Sequence, residues 1–525
     1  MSRTGSQTFG PARRPAARTD VLVVGGGING AGIARDLAGR GLGVVLVERD
    51  DLASHTSSAS TKLIHGGLRY LEHYEFALVR KALAEREVLL RAAPHIMWPL
   101  RFVMPHDPSM RPAWMIRVGM FLYDHLARRE WLAASRGFRL DGTPFGAALK
   151  PHLRYGFEYS DGWVDDARLV VLNAVDAAAR SASVHTRCTC IDVRRGDTAW
   201  QATMREADGR EWTVSARALV NAAGPWASSF LREAAHRDDA RPLRIVKGSH
   251  IVVPRVFEHD HAYIFQNADK RIIFAIPYEE RFTLIGTTDV DQGQSTAPPT
   301  CSADEVAYLC EQANHYLRRT IAPSDVVWTY SGMRPLLDDE SGDPSAVTRD
   351  YSLELDRHGA PLLSVWGGKL TTYRKLGEEA ADSLCGALGS PAAAWTAQAP
   401  LPGGDLSGWI TPSGRPDVDI VRFEQALAVR RPQLEASMRR RWARCYGSRV
   451  ELIGPGDAAP GAEVVPGLHE AELVYLRDHE WARCADDVLW RRTKLGLHLS
   501  TDDRLEVQRW FERQDETATA GIVRT

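Results

Sequence analysis

Cysteine is scarce in this 525-residue sequence, where seven cysteines are scattered along the chain and no two of them form a CxxC pair. An odd number at irregular spacing argues against a disulfide framework and predicts a protein of a reducing compartment. Cys188 and Cys190 form a CxC motif, but no second Cys or His pair lies at a ligand spacing from it. We therefore expect these two cysteines to be neighbours on a strand, and we expect no metal site.

Long hydrophobic runs are also missing. No apolar run reaches the roughly 18–20 residues that a membrane-spanning helix needs. The N-terminal stretch MSRTGSQTFGPARRPAARTD is basic and rich in proline, and the apolar run that follows its Arg-Arg pair is too short for an export signal. The sequence thus predicts no spanning segment, and it predicts a disordered basic tail over residues 1–19.

An excess of charge of one sign is missing as well, since 65 Lys and Arg residues face 67 Asp and Glu residues, for a net charge of −2. So small a net charge gives no overall attraction to nucleic acid, and any recognition of phosphate must come from local clusters. The 44% hydrophobic and 25% charged content is that of a globular protein, and the length allows several domains.

What the sequence does contain, close to its start, is a strand–turn–helix–strand pattern in DVLVVGGGINGAGIARDLAGRGLGVVLVERD. Its two short apolar runs have the composition of buried parallel strands. Between them stands G-x-G-x-x-G, formed by Gly25, Gly27 and Gly30, and Glu48 follows the second run. The glycines permit a tight turn, a close approach of the backbone to a pyrophosphate and close helix packing. The helix N-terminus attracts phosphates and Glu48 can accept hydrogen bonds from a ribose, so the pattern predicts a dinucleotide site.

The glycine motif alone does not distinguish FAD from NAD, and Arg49 could serve the 2′-phosphate of NADP. Two features favour FAD. The motif lies at the beginning of the chain, as is usual in flavoproteins, and a second strand ends in a small-residue turn in ARALVNAAGPWA. Such a turn lets the backbone approach a cofactor again, so we expect FAD with Ala223, Gly224 and Trp226 beside it.

The stretch SSASTKLIHGGLRYLE concentrates hydroxyl, cationic and glycine residues directly after the nucleotide-binding unit. The chain must cross the cofactor there toward its reactive ring. We expect the first half of the stretch to contact the pyrophosphate and the flavin. The residues with this expected role are Ser57, Ser58, Thr61, Lys62, Gly66 and Gly67. The second half, with Arg69 and Tyr70, would then face a substrate.

Three further cations lie in loop-like settings: Arg334 in YSGMRPLLDD, Arg349 in AVTRDYSLE and Lys369 in LLSVWGGKLTTYRKLGEEAA. The last segment again has the pattern of a strand, a glycine turn and a helix N-terminus, which is a suitable anion site. An isolated cation is usually a solvated charge, but several at such turns in a nucleotide-binding chain indicate ligand contact.

Other segments have a structural interpretation or two competing ones. Residues 111–129 are apolar with arginine at both ends, and they fit either a core helix or an amphipathic helix at a membrane surface or lipid entry. Asp165 and Asp166 stand where a helix begins, which predicts helix capping. Residues 184–220 and 243–290 have the patterns of strands, and we expect them in a mixed sheet over the flavin.

Together these motifs resemble those of the FAD-dependent glycerol-3-phosphate dehydrogenases, and most closely the bacterial aerobic, respiratory-chain form. The segments that carry the resemblance are VVGGGINGAGIARD, TSSASTKLIHGGLRYLEHYEFALV, YSDGWVDDARLV, VKGSHIVVPR, IGTTD, WTYSGMRPLLDD, TRDYSLE, GGKLTTYRKL and DDVLWRRTKLGL. The likeness is almost continuous from Asp20 to about residue 400 and less clear over residues 400–470.

The resemblance implies an α/β fold with three parts. These are a glutathione-reductase-like FAD-binding Rossmann fold, an interleaved mixed-sheet substrate domain of the amino-acid-oxidase type, and an all-α C-terminal domain. The first two parts would share residues 20–395, and the helical domain would take residues 396–525. FAD binding would fall mainly on residues 20–95, 165–245 and 355–395, and the substrate cap mainly on 96–164 and 246–354.

The implied reaction is oxidation of sn-glycerol 3-phosphate to dihydroxyacetone phosphate, in which a hydride leaves C2 for flavin N5 and the electrons pass to a respiratory quinone. Members of the family are peripheral proteins of the cytoplasmic membrane face and often dimers, so we expect a membrane-bound homodimer. An oxidase that reduces O₂ and a flavin-binding module without turnover are the alternatives.

For the chemistry, His250 in VKGSHIVVP is our candidate base, because an imidazole with a reference pKa of about 6.5 suits proton transfer near neutral pH. His65 is of the same type, but the two glycines after it favour packing of its backbone against the flavin. Arg334 would stabilise the developing alkoxide, since a guanidinium is a poor proton acceptor. The substrate phosphate would be held by Arg69, Tyr70, Arg349 and Lys369.

The expected cofactor contacts follow from the motifs that match the family. They are Gly25, Gly26, Gly27, Asn29, Gly30, Glu48, Arg49, Ser57, Ser58, Thr61, Lys62, Leu63, His65, Gly66, Gly67, Ala223, Gly224, Trp226, Gly368, Lys369, Leu370, Thr371 and Thr372.

Overall fold

The computed structural model describes residues 17–107, 111–267, 269, 271–337, 350–454 and 460–522, without the side chains of residues 69, 73, 515 and 517–522. Residues 1–16 of the predicted tail therefore lie outside the described residues. The first strand begins at Arg18, so the prediction of a disordered tail is wrong for Arg18 and Thr19.

The strands of the described chain alternate with its helices over most of the sequence. In chain order they are β1 (Arg18–Val24), β2 (Val44–Val47), β3 (Leu63–Ile64), β4 (Met97–His106), β5 (Arg136–Arg139), β6 (Tyr155–Val164), β7 (Ser183–His185), β8 (Cys188–Arg195), β9 (Trp200–Glu206), β10 (Glu211–Asn221), β11 (Leu243–Pro254), β12 (Ala262–Gln266), β13 (Ile272–Tyr278), β14 (Phe282–Gly286), β15 (Val290–Asp291), β16 (Trp328–Leu337), β17 (Ser352–Asp356), β18 (Leu362–Trp366), β19 (Glu463–Val465) and β20 (Leu468–His469).

The helices are distributed in the same way, with the longest at the C-terminus. They are α1 (Ile28–Gly39), α2 (Phe76–Ala92), α3 (Ala113–His125), α4 (Pro144–Ala147), α5 (Asp166–Ala179), α6 (Ala227–Glu233), α7 (Ala303–Tyr316), α8 (Tyr373–Leu388), α9 (Pro416–Arg430), α10 (Ala436–Tyr446), α11 (Glu470–Glu480) and α12 (Thr501–Ile522). A π-helical turn spans Asp487–Arg492.

The first sheet is built on the predicted nucleotide-binding unit, with strand order β17-β18-β10-β1-β2-β7 and with β9 pairing β10 and β8. In β1, Val21 and Val23 pack with helices α1, α5 and α8, whereas Leu22 and Val24 pack with β8 and β9 on the other face. A strand buried on both faces needs a continuous apolar run rather than alternation. The run VLVV therefore predicted a buried parallel strand correctly.

The ends of three parallel strands fix the position of the site. β1, β10 and β18 run parallel side by side. Gly25 follows β1, Ala222 follows β10 and Gly367 follows β18, so the three turns meet at one edge of the sheet. This edge, at the carboxyl ends of the strands, is where α/β sheets bind ligands.

The second sheet is mixed, as expected, and its strands come from stretches of sequence that alternate with those of the first. Its order is β15-β11-β14-β13-β12-β4-β6-β3, with β16 beside β11 and β5 beside β6. β12 pairs with β4 in parallel, and the other pairs are antiparallel. The predicted α/β architecture with an interleaved mixed sheet is confirmed. The expectation that residues 184–220 belong to the mixed sheet is wrong, because β7 to β10 pair within the first sheet, where β10 runs parallel to β1.

The C-terminal residues form a helical unit with a hydrophobic core of its own, which includes Phe423, Trp442 and Tyr446. The unit contains α9 to α12, and it also contains a two-stranded ribbon of β19 and β20. The ribbon is a small departure from an all-α domain. The residue limits that the sequence suggested for the domains stay a prediction.

Helix α3 leaves much of its apolar surface exposed. Its buried residues are Met120, Tyr123 and Asp124, while Trp114 and Phe121 are exposed. The interpretation of residues 111–129 as a core helix is therefore wrong. Among the described residues, none of the helices combines the length and the apolar character that crossing a membrane requires.

Candidate active site

The turn after β1 has no room for side chains at two of its glycines. Gly25 has φ of +111°, and a Cβ atom there would lie 2.4 Å from the carbonyl oxygen of Ala222. A Cβ atom on Gly30 would lie 1.8 Å from the carbonyl oxygen of Gly25. The glycine turn is thus packed tightly between the ends of β1 and β10. It leads directly into helix α1, whose N-terminus favours anions.

Two polar side chains border this turn. The Ser57 hydroxyl oxygen accepts a hydrogen bond from the Ile28 amide at 3.0 Å. Asn29 donates through Nδ2 to the carbonyl oxygen of Gly367 at 3.0 Å, which links α1 to the turn after β18. Asn29 Oδ1 is buried and has no hydrogen-bond partner among the described residues. A buried amide oxygen beside a helix N-terminus is available to a ligand that brings a donor.

Glu48 is oriented by backbone amides. Its Oε2 atom accepts from Gly26 at 2.6 Å and its Oε1 atom accepts from Asp50 at 3.0 Å. Burial raises the pKa of the Glu48 carboxyl, and the two backbone N–H groups oppose that shift. A carboxylate held in this way keeps lone pairs for a ribose hydroxyl.

The segment that follows β10 lies beside the segment that follows β2. The guanidinium of Arg49 is 4.0 Å from the centre of the Trp226 ring, and the His55 ring is 4.6 Å from the same indole. The glycine turn after β1 also lies against Ala222 and Ala223, so it borders the same site as the small-residue turn after β10. Glu48, Asp50 and His55 are also close enough together to hold a metal ion, but their hydrogen bonds to one another and to Gly26 account for the cluster.

The bridge, residues 57–72, connects both sheets. Thr61 Oγ1 lies 2.9 Å from His250 Nε2 in the second sheet, and the amide of His65 donates to Thr371 Oγ1 at 3.1 Å. Gly66 and Gly67 have no room for a side chain, because other residues of the protein lie too close. A Cβ atom on Gly66 would lie 2.5 Å from the Leu83 side chain, and one on Gly67 would lie 2.2 Å from the ring of Tyr70.

Lys62 is more buried than the sequence suggested. Its ammonium group lies 2.7 Å from Asp166 Oδ1 and donates to the Ser58 carbonyl oxygen at 3.2 Å. Burial lowers the pKa of Lys62, and the charge of Asp166 opposes this shift. Asp165 caps α5 through the amide of Arg168, as predicted. Asp166 has an additional task, which is to hold Lys62 and, through Oδ2, the amide and hydroxyl of Ser60.

His250 lies on β11 and is buried. Its ring stacks on Tyr330 at 4.7 Å, and its Nδ1 atom has no hydrogen-bond partner among the described residues. Burial lowers the pKa of His250 well below its ordinary value, and the positive charges of Arg334 and Lys62 lower it further. The imidazole is therefore neutral at neutral pH and can accept a proton.

Arg334 lies on β16, which pairs with β11. Its guanidinium covers Gly248, donates through Nη2 to Thr287 Oγ1 at 3.0 Å and forms an ion pair with Asp289. Thr287 and Asp289 were not chosen from the sequence as site residues. The signal was present in IGTTD, where a strand ends in glycine followed by two hydroxyls and an acid.

The predicted phosphate cluster is described in part. The ammonium group of Lys369 lies 4.0 Å over the ring of Tyr70. Gly367 and Gly368, with φ of +70° and +102°, form the turn before it, and a Cβ atom on Gly368 would lie 2.8 Å from Asn29 Nδ2. The Arg69 side chain and the whole of Arg349 lie outside the described residues.

Five more of the predicted cofactor contacts are Leu63, Ala223, Gly224, Leu370 and Thr372. Leu63 is on β3 at the end of the second sheet, and Leu370 and Thr372 belong to the short helical turn after Lys369. Ala223 and Gly224 follow β10 beside the glycine turn. The structure thus brings the described members of the predicted set to the region where the two sheets meet. Their individual contacts stay predictions.

Comparison with known proteins identifies the type of site. The model of the family DAO, "FAD dependent oxidoreductase", matches residues 20–374, which is more than half of the chain. The chain belongs to this family. It is therefore a flavoenzyme, and the prediction of FAD as its cofactor is confirmed.

Relatives of this FAD-dependent oxidoreductase extend over nearly its full length. A glycerol-3-phosphate dehydrogenase of Pseudomonas aeruginosa is 51% identical over 97% of this chain and 98% of its own. A D-erythritol 1-phosphate dehydrogenase of Brucella abortus is 46% identical over 95% of this chain and 99% of its own. The solved structure of a glycerol-3-phosphate dehydrogenase from Bacillus halodurans, complexed with FAD, has a TM-score of 0.74 at 28% identity and covers 95% of this chain and 90% of that one. The resemblance and the fold are confirmed.

FAD fits the residues present. The glycine turn keeps its own side chains away from the N-terminus of α1, where backbone N–H groups can meet a pyrophosphate, and the Ser57 hydroxyl lies beside them at the Ile28 amide. Glu48 presents a buried, oriented carboxylate for the ribose, and Asn29 Oδ1 is a buried acceptor in need of a donor. These residues, with Ser57, would hold the cofactor.

Proposed function

We propose that this flavoenzyme oxidises sn-glycerol 3-phosphate to dihydroxyacetone phosphate and passes the electrons to a respiratory quinone. Bound FAD supplies the two-electron chemistry by accepting the hydride from C2. The name of the 51% identical relative supports this substrate. The observation that carries the proposal is the buried His250, whose imidazole is neutral and whose Nδ1 atom has no partner among the described residues.

His250 would take the proton of the C2 hydroxyl while the C2–H bond breaks. This requires the tautomer in which Nε2 carries the hydrogen and donates it to Thr61 Oγ1, which leaves Nδ1 as the acceptor. The result is an imidazolium, a carbonyl at C2 and a reduced cofactor. Arg334, held by Thr287 and Asp289, would stabilise the negative charge that develops on the oxygen.

The phosphate would be bound near Lys369 and Tyr70, together with Arg69 and Arg349. Cations suit this task, because charge-assisted hydrogen bonds to phosphate are about twice as strong as neutral ones. The turn before Lys369 lies beside β16, the strand that carries Arg334, since the carbonyl oxygen of Pro335 is 3.9 Å from the Cβ position of Gly367.

His65 is the rival base. Burial also lowers its pKa, and Asp161 opposes the shift. Its backbone amide donates a hydrogen bond to Thr371 Oγ1. This contact agrees with the expectation that the backbone of this segment packs beside the cofactor. We prefer His250 because the neighbouring Thr61 can fix its tautomer.

A second substrate is favoured by one observation. The relative from Brucella abortus, 46% identical, is a D-erythritol 1-phosphate dehydrogenase. The two compounds share a phosphate ester and adjacent hydroxyl groups and differ in length. Initial rates with both compounds would decide, and a higher kcat/KM for D-erythritol 1-phosphate would overturn our choice of substrate.

The electron acceptor is tested separately. Anaerobic addition of sn-glycerol 3-phosphate should bleach the flavin absorbance, and ubiquinone should restore it. Production of peroxide in air at the rate of substrate oxidation would favour an oxidase instead. Absence of bleaching with either phosphate ester would contradict the proposed activity.

Reduction of a membrane quinone requires contact with the membrane, and helix α3 is our candidate for that contact. Its exposed apolar residues recur at helical spacing and share one face; they are Trp114, Met115, Val118, Phe121 and Leu122. Arg111 precedes the helix, Arg117 lies within it, and Arg128 and Arg129 follow it. An apolar face with arginines around it suits a peripheral contact with anionic lipid at the cytoplasmic face. A homodimer stays a prediction.

A further inference from the structure

The C-terminal helical unit contacts the segment that presents Glu48. This segment, residues 48–55, is here called the ribose turn. We propose that Arg491 and Arg492 of the helical unit are positioning residues for FAD, which act by holding Asp51 in the ribose turn.

The ribose turn contains a residue in an unfavourable backbone conformation. Ala53 adopts φ of +61°, a left-handed conformation that is costly for a residue with a side chain. Such a conformation persists only when the surroundings hold it. Leu52 is fully buried, and one of its methyl groups lies 3.0 Å from the Cβ position of Gly26, so the turn also supports the glycine loop.

The surroundings that hold the turn come from the distant end of the chain. The carboxylate of Asp51 is buried and accepts hydrogen bonds from Arg491 Nε at 2.6 Å and from Arg492 Nη2 at 2.8 Å. A second contact joins Arg492 Nη1 to the same carboxylate. Both arginines belong to the π-helical turn Asp487–Arg492. Short π-helical segments inside proteins occur often at functional sites.

The network extends to the first sheet on its other side. Arg491 also pairs with Asp487, and Asp487 accepts from Arg187 Nη2 at 2.7 Å. The amide of Arg187 donates to the carbonyl oxygen of Asp50 at 2.7 Å. The ribose turn is therefore held at Asp50 and at Asp51 by one connected set of charges.

The contacts to Asp51 are not needed merely to attach the helical unit to the rest of the protein. The unit is already joined to α5 by Arg168, which pairs with Glu480 and donates to the carbonyl oxygen of Cys445 at 2.8 Å. Buried ion pairs add little net stability, because desolvation offsets their attraction, but they fix geometry. Glu48, three residues before Asp51, orients its carboxylate through the amides of Gly26 and Asp50. Fixing Asp51 thus fixes the carboxylate that would meet the ribose.

The test compares two arginines of the helical unit in the full-length holoenzyme. The Arg491 side chain is 16% exposed and pairs with the buried Asp51, and the Arg441 side chain is 15% exposed and pairs with the buried Glu472 inside the helical unit. The measured quantity is the dissociation constant of FAD, from the fluorescence of FAD released on dilution. We expect Arg491→Gln to weaken FAD binding by about tenfold, a typical coupling between two sites. Arg441→Gln should leave FAD binding within about twofold, at a comparable loss of thermal stability.

Two further variants make the outcome decisive. Arg491→Lys should recover most of the affinity, because an ammonium group can still reach Asp51. In an Asp51→Asn background, Arg491→Gln should cause no additional loss, since its effect passes through that carboxylate. Equal FAD affinities of the Arg491→Gln and Arg441→Gln enzymes would overturn the proposal, and so would losses that simply add in the double variant. If the glutamine variants do not fold, the same two ion pairs are broken from the carboxylate side, and FAD binding should weaken in Asp51→Asn but not in Glu472→Gln.

Discussion

Thr61 and His250 are joined across the two sheets, with Thr61 Oγ1 lying 2.9 Å from His250 Nε2. Thr61 belongs to the bridge that follows the nucleotide-binding unit, and His250 belongs to β11, which lies between β14 and β16 in the second sheet. This contact connects the part of the chain that supports the cofactor with the part that would handle the substrate proton. When Nε2 donates to the Thr61 hydroxyl, Nδ1 is left as the acceptor.

Replacement of His250 by Gln should lower kcat by about 10²–10⁴-fold, the usual contribution of a general base. The flavin absorbance spectrum should not change, because His250 is not among the expected cofactor contacts. Since burial lowers the pKa of His250, the native enzyme should keep its kcat/KM as the pH falls to values below about 6.5. Stopped-flow reduction of the flavin measures the step directly. Turnover equal to that of His259→Gln, a control at an imidazole that contacts Tyr263, would contradict the role of His250.

Replacement of Thr61 by Ala tests the tautomer separately. Without the hydroxyl, Nε2 loses its partner and the hydrogen can move to Nδ1, so we expect kcat to fall about tenfold while KM stays the same. Thr61→Ser keeps the hydroxyl and should restore kcat. If the Ala and Ser variants lose activity equally, the methyl group matters and the hydrogen bond does not.

Removal of the charge of Lys369 should separate phosphate binding from the chemistry. We expect Lys369→Gln to raise KM for sn-glycerol 3-phosphate by about 10- to 100-fold, because a hydrogen bond to a charged group contributes about 1.5–3 kcal/mol. The rate with glycerol, which has no phosphate, should not change. Lys375→Gln is the control, since that ammonium group pairs with Glu378 on the same segment. Equal losses with both substrates would show that Lys369 does not bind the phosphate.

The free energy of unfolding should decrease in acid because His95 is buried in its neutral form. Burial, aided by the positive charges of Arg168 and Arg444, lowers the pKa of His95 to about 3. Between that value and the unfolded value of about 6.5, the unfolded chain binds a proton that the folded protein does not, so stability falls as the pH falls. This one group should cost about 2 kcal/mol of unfolding free energy between pH 7 and pH 5.

Urea unfolding at several pH values measures that change. The variant His95→Leu should lose less stability between pH 7 and pH 5 than the native protein, by about 2 kcal/mol. His315→Gln, which alters an exposed side chain, is the control. An unaltered pH dependence in His95→Leu would exclude His95 as the source.

The nucleotide half of the site was predictable because its signals are local. Gly25, Gly30 and Glu48 lie within one strand–helix–strand unit, where glycine spacing and backbone geometry determine each other. The same holds for the caps of α5 and the turn at Gly368. In each case the residues that interact are near one another in sequence.

The partners of the buried charges were not predictable for the opposite reason. Asp166 holds Lys62 across 104 positions, and Asp51 holds Arg492 across 441. A single sequence contains no record of such pairs, and a buried charge looks like a surface charge until the fold brings its partner to it. The exposed face of α3 was undecided for a related reason, because a Trp, Met and Phe pattern is the same whether a helix meets the core or a membrane.

The exposed apolar face of α3 should bind to lipid membranes. The Val118 side chain on α3 is 51% exposed, and the Val421 side chain on α9 is 49% exposed, so the two offer a matched pair. We expect Val118→Ser with Phe121→Ser to weaken binding to vesicles of phosphatidylglycerol and phosphatidylethanolamine on the order of tenfold, because burial of each side chain contributes roughly 1 kcal/mol or more. Val421→Ser with Val429→Ser should bind as the native protein does. Sedimentation with the vesicles gives the bound fraction, and turnover with a soluble electron acceptor should be the same in all three proteins. If both pairs bind equally well, the membrane contact lies on another face of the molecule, and the arginines around α3 have a different role.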